Sequence, residues 1–137
     1  MYKHILIPLE NSPTDQVILT HVRSLAQCLK AKLTLIHVAD GFQARRQKQM
    51  GESEEMRQDR IYLEKCEQEL RAEGFDATAI LTWGEPADRI IEAATSGQCD
   101  LIAMATHGHK FIGDVIFGSV ASDVRHRAEI PVLLLKG

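Results

Sequence analysis

Two glycines and a serine near the end of the chain have the types and the spacing to hold a phosphate. Gly108 follows an apolar run from Leu101 to Ala105 and the turn residues Thr106 and His107. Nine residues further on come Gly118 and Ser119. A glycine adopts backbone angles that other residues resist and lets an anion approach closely. Ser119 offers a hydroxyl and an N–H where a helix is expected to start, and N–H groups there lack internal partners and favour negative charge. No P-loop, with a lysine between the last glycine and the Ser or Thr, occurs. On residue types alone, an ordinary strand–loop–helix connection fits the same stretch.

His107 and His109 flank Gly108. Their spacing would need further partners to hold zinc, and the loop does not supply them, so both read as solvated or phosphate-adjacent. Lys110 reads either as a positive charge offered to the phosphates or as a plain solvent-exposed lysine. No Ser-His-Asp pattern or cysteine nucleophile stands out, and Glu10 is the one obvious carboxylate near the expected site that could orient a water.

The elements that must position these residues follow from periodicity. The apolar segments Lys3–Leu9, Leu33–Val38, Asp76–Trp83, Cys99–Ala105 and Ile130–Leu135 read as strands. Between them, helical spacing is expected over Thr14–Leu29, Ser53–Glu73 and Ala87–Thr95, and from Asp114 or Ser119 to His126. Ser12 is placed to cap the first of these, Pro13 to start it, and Asp15 to meet its dipole. The expected helix stripes are Val17, Ile18, His21, Val22, Leu25 and Leu29, then Met56, Ile61, Leu63, Cys66 and Leu70. Residues 39–58, with a basic run and then an acidic one, read as a solvated segment leading into a helix. Alternating strands and helices imply a single α/β domain with a parallel sheet and helices on both faces. Ligands in such sheets sit beyond the carboxyl ends of strands, where strand order reverses. If the first and fourth strands are neighbours, the Pro8–Ser12 turn and the Thr106–Gly118 loop line one crevice.

Composition bounds the function. The chain has 137 residues, enough for one domain with a core, and 45% are hydrophobic. A net charge of -3 argues against a nucleic-acid surface. No apolar run is long enough for a membrane span, no signal peptide is visible, and a cytoplasmic protein is expected. Cys28, Cys66 and Cys99 form no CxxC and read as small packed side chains. His37 reads as a packed, satisfied strand histidine and Trp83 as packing. Arg125, His126 and Arg127 suit the end of a helix.

The motif Ala105-x2-Gly108-x9-Gly118-Ser119 resembles that of the universal stress protein family, in its nucleotide-binding branch. The opening Ile-Leu-Ile-Pro, Leu35-Ile-His-Val38, Gly84-Glu-Pro86, Met104-Ala-Thr-His-Gly108 and the closing Pro131-Val-Leu-Leu look like it too. The resemblance covers the chain except residues 41–58. It implies a Rossmann-like five-stranded parallel sheet of order 3-2-1-4-5, resembling the adenine nucleotide alpha hydrolases, over residues 1–137. It implies ATP or AMP between strands one and four, with Mg²⁺ or Mn²⁺. By position, Val38 would meet adenine through its backbone, and Pro8, Leu9 and Glu10 would line the base and ribose. Met104 and Ala105 would pack beneath the nucleoside. Gly108, His109, Gly118, Ser119 and Val120 would hold the phosphates. The resemblance also implies a homodimer through Pro131–Leu135.

Two positions depart from that pattern. Glu10 stands where the family commonly has Asp, so the carboxylate reaches one methylene further. Ala105 stands at the first glycine, and its methyl is expected to press on the ribose or α-phosphate unless φ is negative there. The resulting expectation is a non-enzymatic, nucleotide-responsive regulator of a stress response that also engages an unidentified protein partner. The alternatives are a weak ATPase, with at most slow hydrolysis or autophosphorylation, and a dimeric interaction module that has lost nucleotide binding.

Overall fold

The structure is a computed structural model that describes residues 1–39, 54–106 and 114–137, the side chains of 114–117 excepted. Along the chain run β1 (His4–Pro8), α1 (Asp15–Leu29), β2 (Lys32–Ala39), α2 (Glu54–Ala72) and β3 (Ala77–Trp83). Then follow α3 (Pro86–Ser96), β4 (Leu101–Thr106), α4 (Asp114–Arg127) and β5 (Val132–Lys136). All strand pairings are parallel, in the order β3-β2-β1-β4-β5. The expected fold class and strand order are therefore observed.

The strands separate their side chains by parity, because successive residues point to opposite faces. Ile5, Ile7, Leu33, Leu35, Leu101 and Ala103 form one core with Ile18, Leu19, Val22 and Ala26 of α1 and Leu63, Cys66 and Leu70 of α2. Leu6, Ile36, Ile102 and Met104 form the other with Ala87, Ile90 and Ala94 of α3 and Ala121 and Val124 of α4. Each face of the sheet thus carries a helix pair. The central strands are buried on both sides, which explains their nearly unbroken aliphatic runs. β3 is an edge strand, and Ile80 and Trp83 on it are exposed.

Several expected details are corrected. Val17 and His21 of α1 are exposed, and the buried stripe runs instead through Ile18, Leu19, Val22 and Ala26. Ile61 of α2 is 56% exposed, although it is aliphatic. One helix turn rotates these positions past the sheet, and single exposed aliphatics are common on surfaces. Ser12 does not cap α1: the N-cap is Thr14, with no side-chain cap bond, and the Ser12 hydroxyl donates to Glu10 at 2.8 Å. Cys99 lies before β4 rather than in it, with its N–H donating to Ala94 O.

Gly84 ends the turn after β3 at φ +125, a region L side chains rarely adopt. Its N–H donates to Ala39 O, closing the carboxyl ends of β2 and β3 together. Glu85 then caps α3 by accepting from Asp88 N at 2.8 Å, with Pro86 at the first helical position.

Candidate functional site

β1 pairs with β2 on one side and β4 on the other. The chain steps outward from β1 through β2 to β3 and then crosses back to place β4 on the other side of β1, so the crevice expected at a strand-order reversal opens beyond Pro8 and Thr106. A cavity of about 210 Å³ lies there. From β1 and its turn come Pro8, Leu9 and Glu10, and from β2 come Ile36, His37 and Val38. Met104 and Ala105 come from β4, Val120 and Ala121 from α4, and Pro86 and Ile90 from α3. The lining is mostly apolar, with polar groups from Glu10, Asp15 and His37. Two larger crevices lie elsewhere. One, of about 550 Å³, lies among Arg23, Lys30, Glu73 and Asp76 before the amino ends of β2 and β3. The other, of about 450 Å³, lies between α3 and α4, near Cys99.

Of the residues expected at the site, Pro8, Leu9, Glu10, Val38, Met104, Ala105 and Val120 meet around this one cavity. Gly108 and His109, with His107 and Lys110, lie outside the described residues. Gly118 and Ser119 are exposed and do not line the cavity among the described residues. Of the two expected starts of this helix, Asp114 and Ser119, the first is observed. α4 begins at Asp114, so both sit in its second turn. An N–H at that depth is directed along the helix to the carbonyl four residues back.

Ala105 lines the cavity and also touches the core. It packs with the core on the α1 face, as its odd position in β4 requires, and Met104 packs on the α3 and α4 face. Positive φ occurs at Asn11, Lys30 and Gln98 among described non-glycine residues, and not at Ala105.

The turn after β1 is fixed by side chains from α1, β2 and α2. Asp15, buried in the first turn of α1, accepts from the N–H groups of Glu10 at 3.1 Å, Asn11 at 2.9 Å and Ser12 at 3.3 Å. Tyr62 of α2 donates its hydroxyl to the same carboxylate at 2.7 Å. Burial, reinforced by that bond and by the Asp15 charge, pushes the Tyr62 hydroxyl well above its usual range and keeps its proton in place. Asn11 stands at φ 61, a left-handed conformation that Asn tolerates. Its side-chain amide donates to Asp59 of α2 at 2.9 Å. The Nδ1 of His37 donates to Leu9 O at 2.8 Å, and its Nε2 lies 3.1 Å from Asp59 Oδ2. His37 is therefore packed and satisfied, as its strand position suggested. The Asp at a helix start was legible; that Asp59 and Tyr62 would reach this turn was not, because it depends on where α2 docks.

The Cys66 thiol is pushed up by burial, and that of Cys99 by burial and then the Asp100 charge, to about 11. Neither is suited to nucleophilic or redox chemistry, which needs the thiolate. Among the described residues no group of three His, Cys, Asp or Glu is arranged to hold a metal, and no helix is long and apolar enough to cross a membrane.

The family model for the universal stress protein family matches residues 1–136. A universal stress protein of Thermus aquaticus is 31% identical, with 99% of this chain and 100% of that protein aligned. Universal stress protein MJ0577 of Methanocaldococcus jannaschii is 26% identical over 99% of this chain and 96% of its own. The MJ0577 structure superposes with a TM-score of 0.81 at 27% identity, covering 100% of this chain and 97% of that one. A universal stress protein from Archaeoglobus fulgidus in complex with dAMP superposes with a TM-score of 0.74 at 22% identity, covering 98% of each chain, and so shares the fold. The family model's match along nearly the whole chain makes this protein a member of the universal stress protein family.

Proposed function

We propose that this protein binds an adenine nucleotide, ATP or AMP, in the cavity between β1 and β4 and acts as a non-enzymatic regulator. One observation carries the reading: residues far apart in the chain, Pro8, Leu9, Glu10, Val38, Met104, Ala105 and Val120, line a single cavity at the strand-order reversal. The apolar walls from Val38, Ile90 and Met104 suit a base, and the Glu10 carboxylate suits ribose hydroxyls. At about 210 Å³ the cavity is smaller than the roughly 300–1,000 Å³ of sites for drug-sized ligands. It is sized for the nucleoside, with the phosphates directed beyond the end of β4 and toward Ser119, and with Gly108 and His109 of the sequence motif as further phosphate contacts. A related Archaeoglobus fulgidus structure in complex with dAMP supports an adenine ligand. Mg²⁺ or Mn²⁺ would take most of its oxygens from the phosphates and water, with Glu10 as the nearby carboxylate.

The chemistry of the carboxylates supports binding without turnover. Asp15 accepts four hydrogen bonds and has no role left as a base. Glu10 is exposed and accepts from Ser12. Calorimetric titration with ATP and Mg²⁺ tests the reading: the expected result is saturable binding at micromolar concentration. Binding no tighter than millimolar, with the protein folded, would defeat it.

Association as a homodimer through Pro131–Leu135 belongs to the same proposal. β5 is the edge next to β4, and Leu134 on it is 38% exposed. Sizing by light scattering over a range of concentrations, with Leu134→Lys for comparison, is expected to give a dimer that the substitution weakens. A monomer at every concentration would remove this part alone.

A further inference from the structure

We propose that Asp59 of α2 is a positioning residue for the nucleotide cavity, acting through His37 and Asn11 on the peptide that aims Glu10. The inference rests on the nucleotide-binding reading for its ligand, and on the unliganded protein for its geometry.

One peptide unit is gripped at both ends. The carbonyl of Leu9 accepts from His37 Nδ1 at 2.8 Å, and the N–H of the next residue, Glu10, donates to Asp15 at 3.1 Å. Those two bonds fix the plane of the Leu9–Glu10 peptide, and with it the direction in which the Glu10 side chain leaves the backbone. The sheet ladder stops one peptide short of it: the Leu9 N–H still donates to Ile36 O at 2.8 Å, and the Leu9–Glu10 peptide is held by side chains. A turn held by side chains can rotate if one of them lets go.

Asp59 stands behind the His37 grip and also holds the Asn11 side chain on the other side of Glu10. Its Oδ2 lies 3.1 Å from His37 Nε2, and its Oδ1 accepts from Asn11 Nδ2 at 2.9 Å. Asp59 and His37 side chains are only 13% and 12% exposed, so water competes little for either bond. The His37 ring bridges the two groups, with Nδ1 at 2.8 Å from Leu9 O and Nε2 at 3.1 Å from the Asp59 carboxylate. Asp59 therefore fixes the ring's orientation, and the ring holds the Leu9 carbonyl. This is how a second layer of contacts holds a binding group in place. Asn11, held left-handed at φ 61, carries the same constraint to the far side of Glu10.

Asp59→Ala and the milder Asp59→Asn test this, with Glu73→Gln as control. Glu73 pairs with Arg23 at the other end of α2 and lines no part of this cavity. Two readouts are needed: amide NMR signals of Leu9–Ser12 without nucleotide, and affinity for ATP with Mg²⁺. Asp59→Ala is expected to shift the four amides and weaken ATP about tenfold. Asp59→Asn, which keeps one acceptor, is expected to recover part of that loss, and Glu73→Gln to change neither. Unmoved amides, or ATP affinity in Asp59→Ala equal to wild type, would overturn the proposal. If wild type itself fails to bind ATP, the functional reading falls, and the amide signals alone decide whether Asp59 positions the turn. If Asp59→Ala does not fold, Asp59→Asn carries both readouts.

Discussion

The hydroxyl of Tyr62 donates to the carboxylate of Asp15 at 2.7 Å, joining α2 to α1 beneath the turn that lines the cavity. The same carboxylate accepts three successive backbone N–H groups, from Glu10, Asn11 and Ser12. A single buried group thus ties the docking of a helix to the shape of a binding turn.

Removing either partner should be costly. A hydrogen bond to a charged group contributes about 1.5–3 kcal/mol. Tyr62→Phe is expected to lower stability by roughly 1–3 kcal/mol, because the carboxylate keeps three donors. Asp15→Ala strands three N–H groups and the Tyr62 hydroxyl, and is expected to cost more than Tyr62→Phe. Urea unfolding of the two variants gives the comparison. Equal stability of Asp15→Ala and wild type would show that the turn does not depend on this carboxylate.

Ala105 should prove compatible with a ligand. Its methyl packs with the core on the α1 face and its φ is not positive. Ala105→Gly is expected to change nucleotide affinity by less than about threefold and to cost roughly 0.5–1 kcal/mol of stability, the usual loss for glycine inside a strand. A gain of tenfold or more in affinity would show that the methyl does crowd the nucleotide. Titration calorimetry and urea unfolding of the one variant supply both numbers.

Acid should loosen the amino-terminal end of the sheet through Asp100. Burial opposes its charge, but the N–H groups of Lys3 at 2.8 Å and His4 at 3.0 Å outweigh it and hold the carboxyl below its ordinary value. A carboxyl depressed in the folded state stabilises the protein above its unfolded pKa, about 3.9, and the contribution is lost as pH falls through the folded value. Asp100→Asn is therefore expected to be less stable than wild type at pH 7. The gap should close below about pH 4. Thermal melts from pH 7 to pH 3 check the sign; a gap that widens in acid would contradict it.

The thiols should separate by exposure. Cys28 is exposed, whereas Cys66 and Cys99 are buried with raised pKa values. At pH 8, iodoacetamide is expected to label Cys28 in the native protein, and Cys66 and Cys99 only after unfolding. Peptide mass spectrometry locates the label.

Much of this was legible along the chain. Ile5-Leu-Ile7 and Leu101-Ile-Ala103 announced buried parallel strands, because a strand covered on both faces cannot alternate. Gly84 and Pro86 marked a helix entry, and Glu10, Val38 and Met104 could be placed at strand ends. The stripes of α1 and α2 were less legible. Val17, His21 and Ile61 fit a helical period as well as their buried neighbours do, and only docking against the sheet decides which are covered.

The sequence by itself determined the sheet, its helix layers and the strand ends at which a ligand would sit, because hydrophobic period and turn chemistry are local. Tertiary structure alone decided how the turn at Glu10 is held. Asp15, His37, Asp59 and Tyr62 come from three elements, and no local pattern encodes their meeting. It also decided between the two expected starts of the last helix, which begins at Asp114 and so includes Gly118 and Ser119. Hydrogen bonds between distant side chains need ångström placement, and that placement exists only after the two cores have packed.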